Sequence, residues 1–144
     1  MAYSGKRIFA AVFGILYLAF GSVMIGSVIP ALDGLTGQAG IPSDPAAGFV
    51  LCVIGAVFLF AYRELSRTSA DGPAFLIIGM VLSVVFAAVA LLSLGVQGTG
   101  ILLFGEGETW DPIRLLVPML YLGIGPAAGL FVWGRAFLSD LAGA

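Results

Sequence analysis

The stretch SDPAAGFVLCVIGAVFLFAYRELSR, residues 43–67, contains every part of a membrane-spanning helix. Asp44 and Pro45 mark its start, because aspartate accepts hydrogen bonds from the free N–H groups of a first helical turn and proline is favoured at the first helical position. An uncharged run of 18 residues follows, from Pro45 to Tyr62, at the short end of what crosses a hydrocarbon layer about 30 Å thick. Arg63 and Arg67 suit the negative end of the helix dipole. This stretch predicts a transmembrane helix over residues 45–66.

The composition of the whole chain agrees with that interpretation. Of the 144 residues, 60% are hydrophobic and 10% are charged, whereas soluble domains have about 45–50% apolar and about 25% charged residues. A soluble fold of this length could not bury so much apolar surface, so lipid is the predicted solvent. The length favours a single transmembrane domain over residues 1–144, with no separate soluble module.

Three further apolar runs predict three more spans, at about residues 8–32, 73–96 and 112–138. No run alternates polar and apolar residues as a membrane β-barrel would. The first run is longer than the apolar part of a signal peptide and no clear A-x-A site follows it, so we expect an uncleaved helix. The predicted fold is therefore all-α, an integral membrane four-helix bundle with short loops.

The basic residues predict the orientation of the bundle. With the N-terminus inside, the inner segments hold five of the six basic residues, and the outer loops hold most of the acids. Positive charge is enriched on the cytoplasmic side of membrane proteins. The predicted location is thus a multi-pass position in the plasma membrane or an equivalent one, with both termini cytoplasmic.

Helices three and four repeat the start of helix two. Asp71 precedes Pro73 by two residues, and Asp111 directly precedes Pro112. We therefore interpret Asp44, Asp71 and Asp111 as helix caps rather than as ligands.

Helix four is the most irregular of the predicted helices. Pro118 and Pro126 each remove an intrahelical hydrogen bond, and several glycines flank them, so we predict kinks at both positions. A broken helix lining a substrate path is the functional alternative. Because no polar residue accompanies the break, a bent packing helix is the favoured interpretation.

Small residues recur at a spacing of four in every predicted helix and favour close helix packing or a hinge. The positions selected for that role are Gly79 and Ser83 in helix three and Gly125, Pro126 and Gly129 in helix four. The same spacing occurs at Ala10/Gly14, Ser22/Gly26 and Gly48/Cys52/Ala56.

The chemistry of the predicted membrane interior is sparse. The spans have no central charge of the kind that proton relays and ion pumps use, and the chain has no histidine. No metal, cofactor or nucleophile motif is apparent, and one lysine gives no sign of a nucleic-acid partner. We therefore predict a protein without catalytic activity, cofactor or soluble small-molecule substrate, whose partners are membrane lipids and either itself or other membrane subunits.

The loop GEGETWDPIR, residues 105–114, is the candidate outer contact site. Its Glu106 and Glu108 have no capping role, Trp110 suits an interface anchor, and Arg114 would pair with one of the acids. The favoured interpretation is that the acids are solvated and that one of them pairs with Arg114. A cation site is the alternative. The preceding residues 96–105 would either extend helix three or lie along the interface, where a partner would cover them.

Three functions remain open at this point. The first is a non-catalytic structural or accessory subunit that packs through small-residue helix faces in a homo- or hetero-oligomeric membrane assembly. The second is an oligomeric carrier or channel for a neutral or lipid-like substrate, with helix four lining the path. The third is an outer cation or ligand site on the 105–114 loop.

Overall fold

The computed structural model describes residues 2–27, 44–67, 71–104 and 118–142, and the regular structure in these ranges is helical. The described ranges contain four helices: α1 (Ala2–Gly26), α2 (Pro45–Ser66), α3 (Gly72–Phe104) and α4 (Pro118–Ala142). The prediction of an all-α fold with four helices is confirmed for this part of the chain. Among the residues that the structure describes, three segments are long and apolar enough to cross a membrane: Ser4–Gly26, Pro45–Ser66 and Gly72–Gly100.

Helix α2 has the predicted bounds and the predicted cap. The Asp44 side chain accepts a hydrogen bond from the Ala47 backbone N–H at 3.0 Å, and Pro45 occupies the first turn. At the other end the Arg67 N–H donates to the Arg63 carbonyl at 3.1 Å. At the start of α3, the backbone carbonyl of Asp71 accepts from the Phe75 N–H at 3.2 Å. A cap by the Asp71 carboxylate stays a prediction, and Asp111 lies outside the described residues.

Helix α1 is displaced along the sequence from its predicted position of 8–32. It begins at Ala2 and ends at Gly26, with Ser27 in a turn. The prediction followed the apolar run, whereas a helix needs only backbone hydrogen bonds, so its first turns include polar residues such as Lys6. At its end the Ser27 hydroxyl donates to the Met24 carbonyl at 2.6 Å, a side-chain bond that satisfies a carbonyl of the last turn. Residues 28–32 lie outside the described part.

Helix α3 continues beyond the predicted end at residue 96 and reaches Phe104. Its 33 residues correspond to roughly 50 Å at about 1.5 Å per residue. No proline interrupts this stretch before Pro112, and the Thr99 hydroxyl bonds back to the carbonyls of Gly95 and Val96 at 3.0 and 2.9 Å. Of the two alternatives for residues 96–105, the extended helix is thus the one observed as far as Phe104.

Helix α4 is described from Pro118 onward and runs through Pro126. The predicted start at Pro112 lies outside the described residues. The kinks at Pro118 and Pro126 stay predictions.

The helices pack in sequence order. Helix α1 lies along α2, α2 contacts α3, and α3 contacts α4, whereas the backbones of α1 and α4 approach closely at few positions. The residues of α1 that face inward repeat at steps of four and three, the heptad spacing that keeps one stripe against a neighbouring helix; they are Ala10, Gly14, Tyr17, Gly21 and Met24.

The contact between α1 and α2 is built on glycines seven residues apart in each helix, Gly14 and Gly21 against Gly48 and Gly55. A Cβ added to Gly55 would lie 3.0 Å from the Gly14 carbonyl oxygen. Sequence spacing by four selected Gly14 and Gly48 correctly but missed Gly21 and Gly55. It also selected Ser22 and Ala56, which are exposed. The reason is that the contact stripe repeats every seven residues, in steps of four and three. Successive steps of four move around the helix and leave this stripe.

Candidate functional site

Four of the five residues selected for packing or a hinge come together in the structure. Gly79 and Ser83 on α3 and Gly125 and Gly129 on α4 lie around one group of aromatic side chains between the helices. The fifth, Pro126, is buried. The other selected residues, Glu106, Glu108, Trp110 and Arg114, lie outside the described part of the chain.

The aromatic group is organised by α1, where Phe9, Phe13 and Tyr17 follow one another at a spacing of four. The ring centroid of Phe58, on α2, lies 6.2, 6.3 and 5.8 Å from those of Phe9, Phe13 and Tyr17. Trp133 of α4 meets Phe9 edge-on at 5.1 Å. These separations lie in the range in which aromatic rings attract one another beyond the effect of burial. We call these five side chains the aromatic core.

Glycines on the two facing helices make room for the aromatic core. A Cβ on Gly125 would collide with the Phe13 ring, and one on Gly129 would lie 3.0 Å from Phe9 Cζ and 3.2 Å from Met80 Sδ. On α3, a Cβ on Gly79 would lie 3.2 Å from the Phe58 ring. The glycines of α4 thus accept the large side chains of α1, which explains how the two helices associate although their backbones meet at few points.

One polar contact lies inside this apolar region. The Tyr17 hydroxyl and the Ser83 hydroxyl form a hydrogen bond, and both residues are only 1% exposed. Either oxygen is able to donate. In surroundings without water an unpaired hydroxyl costs free energy, so each group satisfies the other and fixes the register of α1 against α3.

Sequence reasoning selected Ser83 but not its partner. Tyr17 is not a small residue, so the spacing of small residues does not select it. The usable signal was the row at positions 9, 13 and 17, because residues four apart lie on the same face of a helix.

Charged residues collect at one end of the described bundle. Lys6 and Arg7 lie at the start of α1, Arg63 and Arg67 at the end of α2, and Arg135 near the end of α4. Contacts along the bundle place these helix ends together: Phe9 meets Trp133, and a Cβ on Gly72 would lie 2.8 Å from the Leu65 backbone N. We call this the basic end. The guanidinium of Arg135 lies 5.0 Å from the centre of the Phe131 ring, and that of Arg63 lies 6.0 Å from Phe60, as cation–π contacts.

Within the described ranges, the close glycine contacts, the aromatic core and the Tyr17–Ser83 hydrogen bond stabilise the bundle. Over the described ranges, no three residues among His, Cys, Asp and Glu come together as metal ligands would.

Residues 4–131 match the model of one protein family, described as the MJ0565 integral membrane domain. The chain belongs to this family. The match to the MJ0565 integral membrane domain includes α2, α3 and the aromatic core except Trp133, and it establishes the chain as an integral membrane protein.

The family description names a location and no activity. No curated protein and no solved structure matches the chain.

Proposed function

We propose that this member of the MJ0565 family is a non-catalytic structural or accessory subunit of a membrane assembly. The observation that carries the proposal is the second half of α3. This helix is roughly 50 Å long at about 1.5 Å per residue, more than the roughly 30 Å of a hydrocarbon layer. Its residues Leu92, Val96 and Leu103 are at least 70% exposed.

The glycines in this half of α3 differ from those of the α1–α2 contact and of the aromatic core. A Cβ on Gly95 or Gly100 would meet nothing within 4 Å, whereas the glycines of the α1–α2 contact and of the aromatic core are already covered. In lipid, helices associate where small residues let two backbones approach closely. Gly95 and Gly100 lie about 140° apart around the helix, on the two sides of the exposed stripe formed by Leu92, Val96 and Leu103. This surface, which we call the open glycine face, supports contact with a second copy of the chain or with another membrane subunit.

The test is the size of the native assembly in a mild detergent, measured for the wild type, Gly95→Leu and Gly100→Leu. We expect the wild type to migrate as an oligomer or with a co-purifying subunit, and each leucine variant to shift toward the monomer. Ala56→Leu is the matched control, because Ala56 is exposed on α2, away from the open glycine face. A wild-type chain that is strictly monomeric and has no partner contradicts the proposal.

The carrier or channel alternative has less support in the bundle. It requires a path along α4, but Gly125 and Gly129 face the rings of Phe13 and Phe9, and Pro126 is buried. These side chains occupy the space in which a substrate would move. Flux in proteoliposomes that depends on Gly125 would restore this alternative.

We also propose that both termini lie in the cytoplasm. Five of the six basic residues lie at the basic end, and positive charge is retained on the cytoplasmic side. A reporter fused to the C-terminus that is active only outside the cytoplasm should give no signal. The outer cation site on residues 105–114 stays a hypothesis, because that loop lies outside the described residues.

A further inference from the structure

A groove opens on the surface of the basic end, between the first turns of α1 and the last turns of α2. It has a volume of about 350 Å³ and is lined by Ser4, Arg7, Ile8, Ala11, Val12 and Tyr62. This volume lies within the roughly 300–1,000 Å³ of ordinary ligand sites. Neither the aromatic core nor the open glycine face includes any of these residues.

The lining of the groove divides into a polar and an apolar part. Ser4, Arg7 and Tyr62 bring two hydroxyl groups and a guanidinium, whereas Ile8, Ala11 and Val12 continue along α1 toward its apolar middle. Ile8 and Val12 are 62% and 47% exposed, so an occupant would contact them. A ligand that fits both parts has an anionic head and an apolar chain.

The charges around the groove select the sign of the occupant. The basic end has the five cations of the described chain, and Glu64 and Asp71 are the acids whose side chains the structure describes there. Neither Glu64 nor Asp71 lines the groove, whereas Arg7 does. Guanidinium groups bind phosphate oxygens well, because their donors match the geometry of two oxygens at once.

We propose that this groove binds one anionic glycerophospholipid, with its phosphate on Arg7 and the hydroxyls of Ser4 and Tyr62, and one chain along Ile8, Ala11 and Val12. The lipid would join the start of α1 to the end of α2 at the level of the headgroups. Basic residues next to membrane helices commonly recognise anionic lipids. The proposal holds for either orientation of the bundle and does not depend on the assembly proposed above.

The test is the apparent affinity of the full chain for phosphatidylglycerol, measured by native mass spectrometry from a mild detergent. We expect Arg7→Gln to weaken binding about tenfold, since it replaces a charged hydrogen-bond donor with a neutral one. Tyr62→Phe should weaken binding about threefold, because it removes one neutral hydroxyl. Both positions are at the surface, and equal melting temperatures of the variants in lipid-free detergent would show that the fold is retained.

Two matched variants separate a groove from diffuse attraction. Arg135→Gln removes the same charge at the same end but outside the groove, and Tyr121→Phe removes a hydroxyl from a tyrosine that is 42% exposed, against 41% for Tyr62. We expect each to change the affinity by about twofold or less. Equal losses for Arg7→Gln and Arg135→Gln would overturn the proposal, as would equal effects of the two tyrosine variants. Inorganic phosphate or glycerol phosphate that displaces the lipid at comparable concentration would also overturn it, because the site would then belong to a soluble phosphate.

Discussion

Gly21 of α1 and Gly48 of α2 face each other so closely that neither position has room for a side chain. A Cβ on Gly21 would lie 2.7 Å from the Gly48 carbonyl oxygen, and a Cβ on Gly48 would lie 2.9 Å from the Gly21 carbonyl oxygen. In both cases the obstacle is backbone, which cannot rotate away as a side chain does. Because lipid offers no hydrophobic reason for helices to associate, this close approach supplies the packing that holds α1 on α2.

Gly21→Ala should therefore destabilise the bundle although alanine is the better helix former. We expect a loss of about 1–3 kcal/mol from overpacking, measured by reversible unfolding in mixed micelles. Gly5→Ala is the control, since a Cβ there meets nothing within 4 Å and Gly5 lies outside the open glycine face, and helix propensity alone should stabilise it by up to about 1 kcal/mol. Equal effects of the two substitutions would mean that backbone contact at Gly21 contributes nothing.

The Tyr17–Ser83 hydrogen bond should appear as a coupling between α1 and α3. In a double-mutant cycle with Tyr17→Phe and Ser83→Ala, we expect a coupling free energy of about 0.6 kcal/mol, with roughly 1.7 kcal/mol as the upper limit for such bonds in membranes. Tyr121→Phe combined with Ser83→Ala should give additive losses. Additivity for the Tyr17 pair as well would show that the two hydroxyls do not depend on each other.

Gly125 should tolerate a larger side chain only when Phe13 becomes smaller. Gly125→Ala should cost about 1–3 kcal/mol, because the new Cβ would collide with the Phe13 ring. Adding Phe13→Leu should recover part of this loss, so the double variant should be more stable than the sum of the two single losses predicts. Gly5→Ala, where a Cβ meets nothing within 4 Å, should show no coupling to Phe13→Leu. Unfolding in mixed micelles measures the three single variants and the two double variants.

The cap of α2 should depend on the oxygen of Asp44 and not on its charge. Asp44→Ala should destabilise the protein by about 0.5–2 kcal/mol, the usual effect of losing an N-cap. Asp44→Asn keeps an oxygen that accepts from the Ala47 N–H and should stay within about 0.5 kcal/mol of the wild type, since asparagine caps as well as aspartate. The measurement is the melting temperature of each variant. Similar decreases for both variants would mean that the charge at the helix dipole dominates.

The local features were predictable because they depend on neighbouring residues. Asp44, Pro45 and the arginines after Tyr62 predict the bounds of α2 correctly, since caps and apolar length act within one helix. The bounds of α1 and α3 were harder to predict from the sequence. The length of an apolar run reflects the thickness of the lipid layer, whereas a helix continues into the polar interface wherever no proline or cap ends it.

The candidate site was predictable only in part. Sequence spacing selects Gly79, Ser83, Gly125, Pro126 and Gly129 for packing or a hinge, and all of these except Pro126 are seen to lie beside the aromatic core. Which side chains they accommodate was not apparent, because that pairing joins α1 to α3 and α4 across long stretches of sequence. Ser83, for example, lies 66 residues from Tyr17.

The sequence by itself determined that this chain is a helical membrane protein, that Asp44 caps its second helix, and that small residues allow its helices to pack closely. These properties follow from composition and from spacing within one helix. Only the tertiary structure decided that the α1–α2 glycines follow a heptad, that Phe9 and Phe13 fill the space over Gly129 and Gly125, and that Arg7 and Tyr62 line one groove. The reason is physical. Lipid solvates every apolar helix face about equally well, so which faces contact each other depends on how the side chains of different helices fit together.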